Sequence, residues 1–520
     1  MALSLFASPQ VQAETPADTL VMAWNIDDII SLDPAEIFEF SAAEIAGNSY
    51  ERLVTYSNDD VSNVYGGAAE SWTVSDDGLT LTFKMKEGKT FASGNPMTAE
   101  DAVYSLVRAI KLDKSPAFIL GQFGLTPDNV EEKIKLIDPM TFSMTMDKAY
   151  APSFVLYCLT ATVSSVVDSK LVKEHEVDGD WGYDWLKTNY AGSGPFVIRE
   201  WRPSEAVILE RNDNWTGGDT PAMSRVIYRH IAESAAQRLA LEAGDVDVAR
   251  NLTPEELEAL KSNPDIKLQQ GAKGAIWYLG MNQKNEYLSR PQVREAMKYL
   301  VDYHTIADTI MKGKVTVHQN FLPEGFLGAI PDEPYSFDPA KAKELLAEAG
   351  LPDGFSVTMD VRSSGDTPAI AEAIQANMAQ AGVNIELIPG DGGQVLTKYR
   401  GRAHDIYIGQ WGPDYQDPNT NADTFAANDD NSDDAAAKPL AWRNAWQDEG
   451  MTKITRDAVL EGDAAVRAKM YEDLQREWVK TSPFVVMFQQ IEVQALRKNV
   501  EGLQIGPSFD TNFFYTVTKD

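Results

Sequence analysis

At 520 residues the chain has room for about three domain-sized units of ~150 residues and a substantial core. Hydrophobic residues make up 43% and charged residues 24%, the balance of an ordinary globular protein. Against 78 acidic residues stand 46 basic ones, and a net charge of −32 repels phosphate backbones and anionic lipid, so nucleic acid and polybasic membrane docking are poor candidates.

The start, Ala2-Leu3-Ser4-Leu5-Phe6-Ala7 followed by Val11-Gln12-Ala13 before Glu14, reads as the tail of a signal peptide with a small-residue cleavage site, so residues 1–13 are expected to be a signal-peptide remnant. No cysteine lies near that site, so a lipid anchor is not expected. No other run approaches the ~18 apolar residues needed to span a bilayer. A protein free in a periplasm is therefore expected. Cys158, the single cysteine, has Leu156, Tyr157 and Leu159 around it and predicts a buried, inert thiol.

Thr19–Trp24 reads as a buried strand, and Leu32-Asp33-Pro34 leads into an amphipathic stretch ending at Tyr50-Glu51-Arg52-Leu53. Leu79, Leu81, Phe83 and Met85 alternate with Thr80, Thr82 and Lys84, the period of a strand with one buried face. Asp77-Gly78 ahead of them predicts a hairpin with a primed turn. Thr98, with Asp101 three residues on, predicts an N-cap for a helix whose apolar face is Val103, Leu106, Val107 and Ile110. Ala191 to Phe196 is a turn-rich boundary; strands are predicted at 206–211 and around Tyr228, then a helix ending at Gly244. A new unit begins near Trp277. A helix through Val293–Leu300 follows, then a Pro/Gly loop at 323–334, a helix from Asp338-Pro339 to Ala349, a strand at 355–361, a helix at 370–381 and a strand at 383–388. Asn428 to Asp434 (NDDNSDD) reads as a mobile acidic surface loop. Helix–strand alternation with short connections argues for α/β lobes carrying mixed sheets.

The run Ala69–Ile110 closely resembles the signature of the family 5 extracellular solute-binding proteins, the peptide- and nickel-type receptors of ABC importers. Other pieces resemble the family in order: Leu32-Asp33-Pro34, Gly192-Ser193-Gly194-Pro195-Phe196, Asn282 with Val293-Arg294-Glu295-Ala296, Leu345-Leu346-Ala347-Glu348-Ala349-Gly350 and Pro483-Phe484-Val485-Val486. The resemblance implies a two-lobed periplasmic binding protein fold, class II-like with mixed sheets. Lobe I is expected from 14–56, 190–272 and 489–520, an extra subdomain from 57–189, and lobe II from 273–488. It also implies a monomer that encloses a short peptide or similar polar solute by hinge closure and hands it to ABC permease subunits.

Trp411-Gly412-Pro413-Asp414-Tyr415-Gln416-Asp417-Pro418 resembles the family's W-x-x-D-x-x-DP segment, whose first Asp pairs with a peptide's α-ammonium in dipeptide-type members. That position is Asp414, while Asp417 reads as a turn cap. Arg362 lies roughly where such members keep an arginine for the ligand's carboxylate. Phe38-Glu39-Phe40 matches a stretch whose backbone pairs with peptides. Trp277, Trp411 and Tyr415 complete the candidate walls, each open to a core role instead. The five histidines (175, 230, 304, 318 and 404) are dispersed and no phosphate-binding glycine loop is present, so neither a metal nor a cofactor is expected. Alternatives to a peptide are an oligosaccharide, an opine-like conjugate or a metal chelate on the same scaffold. A secreted hydrolase using Asp414 and a second carboxylate is a further alternative, which the family resemblance does not favour.

Overall fold

The computed structural model describes residues 14–520 apart from Asp59, Ser364 and Ala436; the expected signal-peptide remnant lies outside the described residues. The main sheet has eleven strands. Their order runs Val383–Gly390, Phe355–Arg362, Ile406–Trp411, Ile266–Met281, Phe484–Arg497, Val248–Ala249, Thr19–Trp24, Arg225–His230, Ala206–Arg211 and Phe196–Arg202, with Val315–Val317 on the side of Phe484–Arg497. Both parallel and antiparallel pairs occur. Thr19–Trp24 is buried along its whole length, as expected of an apolar run covered on both faces.

Two long antiparallel strands hold the halves together. Ile266–Ala272 pairs with Arg497–Ile491, and Ile276–Gly280 pairs with Gln489–Phe484, with a break in register between Ala272 and Ile276. On one side of that break the core is built from Leu20, Met22, Val226, Tyr228 and Leu496. On the other it is built from Leu279, Met359, Ile406, Ile408 and Met487. The chain therefore folds as two lobes joined by crossing strands.

Residues 57–189 hold a separate four-stranded antiparallel sheet: Ala69–Val74, Thr80–Met85, Thr141–Thr145 and Ile134–Asp138, in that order. Leu81, Phe83 and Met85 are fully buried while Lys84 is exposed, and Phe83 stacks on Phe142 directly across the ladder at 5.2 Å. The helix Ala99–Leu112 packs on this sheet, and the Thr98 N–H donates to the Asp101 carboxylate (2.8 Å) as its capping box requires. The preceding turn differs from expectation. Gly78 has φ +72° and donates to Ser75 O (2.8 Å), but Asp76 and Asp77 keep negative φ, so this is a longer ordinary turn closed by glycine rather than a primed one. Leu32-Asp33-Pro34 owes its role to Asp33, whose buried carboxylate takes both Nη atoms of Arg108 (2.7 and 2.5 Å) and so ties lobe I to that helix.

The stretch 428–434 is an exposed acidic loop as expected, and hydrogen bonds tie it down at several points. Asn428 is 2% exposed and donates to Trp446 O (2.8 Å), Trp442 Nε1 donates to Ser432 O (2.7 Å), and Arg402 reaches Asn431 O (3.0 Å). Its amides and carbonyls complete hydrogen bonds that its polar composition alone did not reveal. Cys158 is buried, and burial pushes its thiol well above the usual range.

Candidate functional site

A cavity of about 240 Å³ lies between the lobes. Four stretches far apart in sequence wall it: Ile37 to Ala43, Thr160 to Val163, Gln410 to Gln416 and Pro507 to Asp510, together with Lys273 and Ala275 from the crossing strand. Phe38 and Phe40 flank the start of the helix Phe40–Gly47 and remain 44% and 46% exposed, large apolar side chains left open at a cleft. Phe40 stacks on Phe509 at 4.5 Å, and Phe38 meets Phe118 edge-on at 6.1 Å. Gly412 lets the Phe40 ring come close: a Cβ added there would lie 3.2 Å from it.

The strand Ile406–Trp411 delivers Trp411 and then the turn carrying Asp414, and the helix Asn419–Phe425 follows at once. Thr420 Oγ1 accepts the Asp414 N–H (3.0 Å) and lies 3.5 Å from its carboxylate. Among the described residues no lysine or arginine pairs with Asp414, and burial raises its carboxyl from 3.8 to about 7. The side chain keeps some surface toward the cavity, but protein surrounds it on the other sides.

The other charged walls are committed. Asp510 pairs with Arg52 (2.9 Å), and Arg52 also donates to Thr160 O (2.7 Å). Lys273, 1% exposed, donates to Gly506 O (2.6 Å), Ser508 O (3.1 Å) and Asn512 Oδ1 (2.7 Å) and pairs with Glu492 (2.9 Å). Glu492 belongs to a buried cluster in which Arg250 bridges it to Glu44, with the Arg250 guanidinium 3.8 Å over Trp24. Burial favours the acid form of Glu492, but Arg250 and Lys273 hold it well below the usual range. Glu44 moves the other way, because burial outweighs Arg250.

Asp417 has a structural place. Its carboxylate takes both Nη atoms of Arg467 (2.7 Å each) and accepts the Asn419 N–H (2.9 Å), so the turn cap expected of it is present, with a buried ion pair besides. Asp423, the next carboxylate along, pairs with Arg456. The two carboxylates that follow Asp414 in the chain are thus each held by an arginine.

The structure brings Phe38, Phe40, Trp411, Asp414 and Tyr415 together on the cavity wall. Glu39 turns back to accept its neighbour Phe38's N–H (3.2 Å), and burial raises its carboxyl. Tyr415 also reaches away, its hydroxyl to Gln122 Oε1 (3.4 Å) and its ring beside Phe154. Trp277 is 6% exposed and packs in the core of lobe II. Arg362 is exposed at the end of Phe355–Arg362, beside Gly392, and is not among the cavity's lining residues. Phe509, Asp510 and the 160–163 stretch have no motif that announces them.

Residues 63–433 match the model of the bacterial extracellular solute-binding proteins, family 5, middle region. The chain is 28% identical over 511 residues to the probable D,D-dipeptide-binding periplasmic protein DdpA of Escherichia coli K12, covering 97% of this chain and 95% of that one. It is 25% identical to the di/tripeptide-binding protein 1 of Pseudomonas aeruginosa, over 94% and 91% of the two chains. A solved structure similar to it is the ABC transporter-associated periplasmic binding protein DppA from Helicobacter pylori in complex with the peptide STSA, at TM-score 0.81, 25% identity and coverage of 96% and 98%. No helix among the described residues is long and apolar enough to cross a membrane. The cleft between two lobes and the match over most of the chain agree, and the protein belongs to the bacterial extracellular solute-binding proteins of family 5.

Proposed function

We propose that this protein is a periplasmic receptor of an ABC importer that captures a short peptide by its free N-terminus. Asp414 carries the reading: a desolvated carboxylate with no cation beside it among the described residues, facing a cavity with aromatic walls. A ligand ammonium supplies the missing charge and makes a charge-assisted hydrogen bond in a site shielded from water. The names of the similar proteins, which speak of dipeptides and di/tripeptides, support a peptide over a sugar. Phe38, Phe40, Trp411 and Tyr415 form the walls around the bound residue, and Phe38-Glu39-Phe40 offers backbone to it. The lobes move about the break between Ala272 and Ile276, and the closed monomer docks on the permease.

The test is calorimetry and thermal shift with a panel of dipeptides whose first residues are apolar, polar or charged, each with and without N-acetylation. Binding by free dipeptides, lost on acetylation and in Asp414→Asn, is the expected result. Equal binding of acetylated and free forms, or binding by none of the panel, overturns the reading.

A further inference from the structure

We propose that the cavity reads only the amino end of its ligand: it takes a primary ammonium bearing an apolar group, and it makes no ion pair with a carboxylate. This rests on the receptor reading above and narrows its ligand class. Three charged side chains line the cavity, Lys273, Asp414 and Asp510. Lys273 has three N–H donors and four oxygen acceptors within 3.1 Å, and at 1% exposure it has none to offer an incoming carboxylate. Asp510 is neutralised by Arg52, which is itself 7% exposed and spends further donors on Thr160 O and Asp510 O. With these pairs cancelled, one negative charge is left, and it belongs to Asp414.

A ligand carboxylate placed in this cavity therefore meets, among the described residues, no free cation and an uncompensated Asp414, an arrangement that costs desolvation and gains repulsion. Arg362, the arginine whose chain position suggests a carboxylate partner, lies outside the lining. Size agrees, since about 240 Å³ falls below the roughly 300–1,000 Å³ of pockets that swallow a drug-sized ligand. It suits one residue-sized group among Phe38, Phe40, Trp411 and Phe509. The distal end of a longer ligand then lies beyond the cavity, unread by charge.

The experiment compares Leu-Leu with Leu-Leu-amide by calorimetry at about 0.15 M salt, using wild type, Asp414→Asn and Arg362→Ala. The amide is expected to bind within about threefold of the acid, or more tightly. Both are expected to fail on Asp414→Asn, which separates the site from general attraction of a cation to an acidic protein. Arg362→Ala is expected to leave the ratio unchanged. If the acid binds more than about tenfold tighter than the amide, or Arg362→Ala erases a preference for the acid, the inference is overturned and the receptor reading stands. If neither form binds, the panel of the preceding section decides: binding by other free dipeptides overturns only the apolar preference, and no binding overturns the receptor reading as well.

Discussion

Replacing Asp414 with Asn is expected to stabilise the empty protein at neutral pH and to leave it unchanged in acid. The carboxyl is raised from 3.8 to about 7 in the folded chain, chiefly by burial. The folded state therefore holds a proton that the unfolded state has released throughout the window between those values, and stability falls as pH rises across it. At about 1.4 kcal/mol per pKa unit, three units correspond to a ceiling of about 4 kcal/mol above pH ~7. Cavity water screens part of this, so about 1–3 kcal/mol is expected to be recovered by Asp414→Asn. The substitution keeps the shape and leaves an oxygen for Thr420. The assay is urea unfolding of ligand-stripped wild type and variant between pH ~4 and ~8, with the difference in midpoint free energy plotted against pH. The curves should coincide near pH 4, diverge through pH 5–7, and run parallel above. A variant less stable than wild type at pH 8, or a difference that does not change with pH, would refute the claim that Asp414 is an uncompensated buried charge.

Three further outcomes are expected. Affinity for an ammonium-bearing dipeptide should fall about tenfold per pH unit below about 7, because a proton and the ammonium compete for one carboxylate; a flat calorimetric profile between pH 5 and 7 contradicts this. Asp417→Asn strands Arg467, which is 1% exposed, and should cost about 3–5 kcal/mol in urea unfolding, while replacing both by apolar residues of like volume should restore much of it; a near-neutral single variant removes the pair's structural role. Gly412→Val should lower affinity by about tenfold or more, because a Cβ there already meets the Phe40 ring at 3.2 Å and a larger side chain holds the lobes apart; small-angle scattering should then show less ligand-induced compaction, and normal compaction would exclude Gly412 from the contact between lobes.

Local patterns carried much of the architecture. The alternation from Leu79 to Met85 and the cap at Thr98 each depend on neighbours within a few residues, and both came out as the side-chain chemistry dictates. The turn at Asp77-Gly78 was legible as a glycine turn but not in type, because backbone sign at Asp76 and Asp77 depends on how the flanking strands splay. The stretch 428–434 is legible as an acidic surface loop, but not its ties to Arg402, Trp442 and Trp446, which lie at some distance in the chain. Asp417 presents the same difficulty, since nothing beside it announces Arg467. At the site, the W-x-x-D run points to Asp414, but it stands out as the uncancelled charge of the cavity only because Glu492 pairs with Lys273 and Arg52 with Asp510. Those pairings join residues hundreds of positions apart and exist only once the lobes are assembled.

The four stretches that wall the cavity are a helix entry, a short turn after Cys158, the exit of a strand and a near-terminal turn, and each mixes core side chains such as Ile37, Val163 and Tyr415 with others that face the cleft. Phe38 and Phe40 are 44% and 46% exposed and belong neither to the crossing strands nor to the buried Glu44–Arg250–Glu492 cluster. Cargo preference can thus drift in small, separate steps while the scaffold stays constant. Overall identity between two such receptors is then a poor guide to whether they carry the same solute, and a comparison restricted to these four wall stretches is the better one.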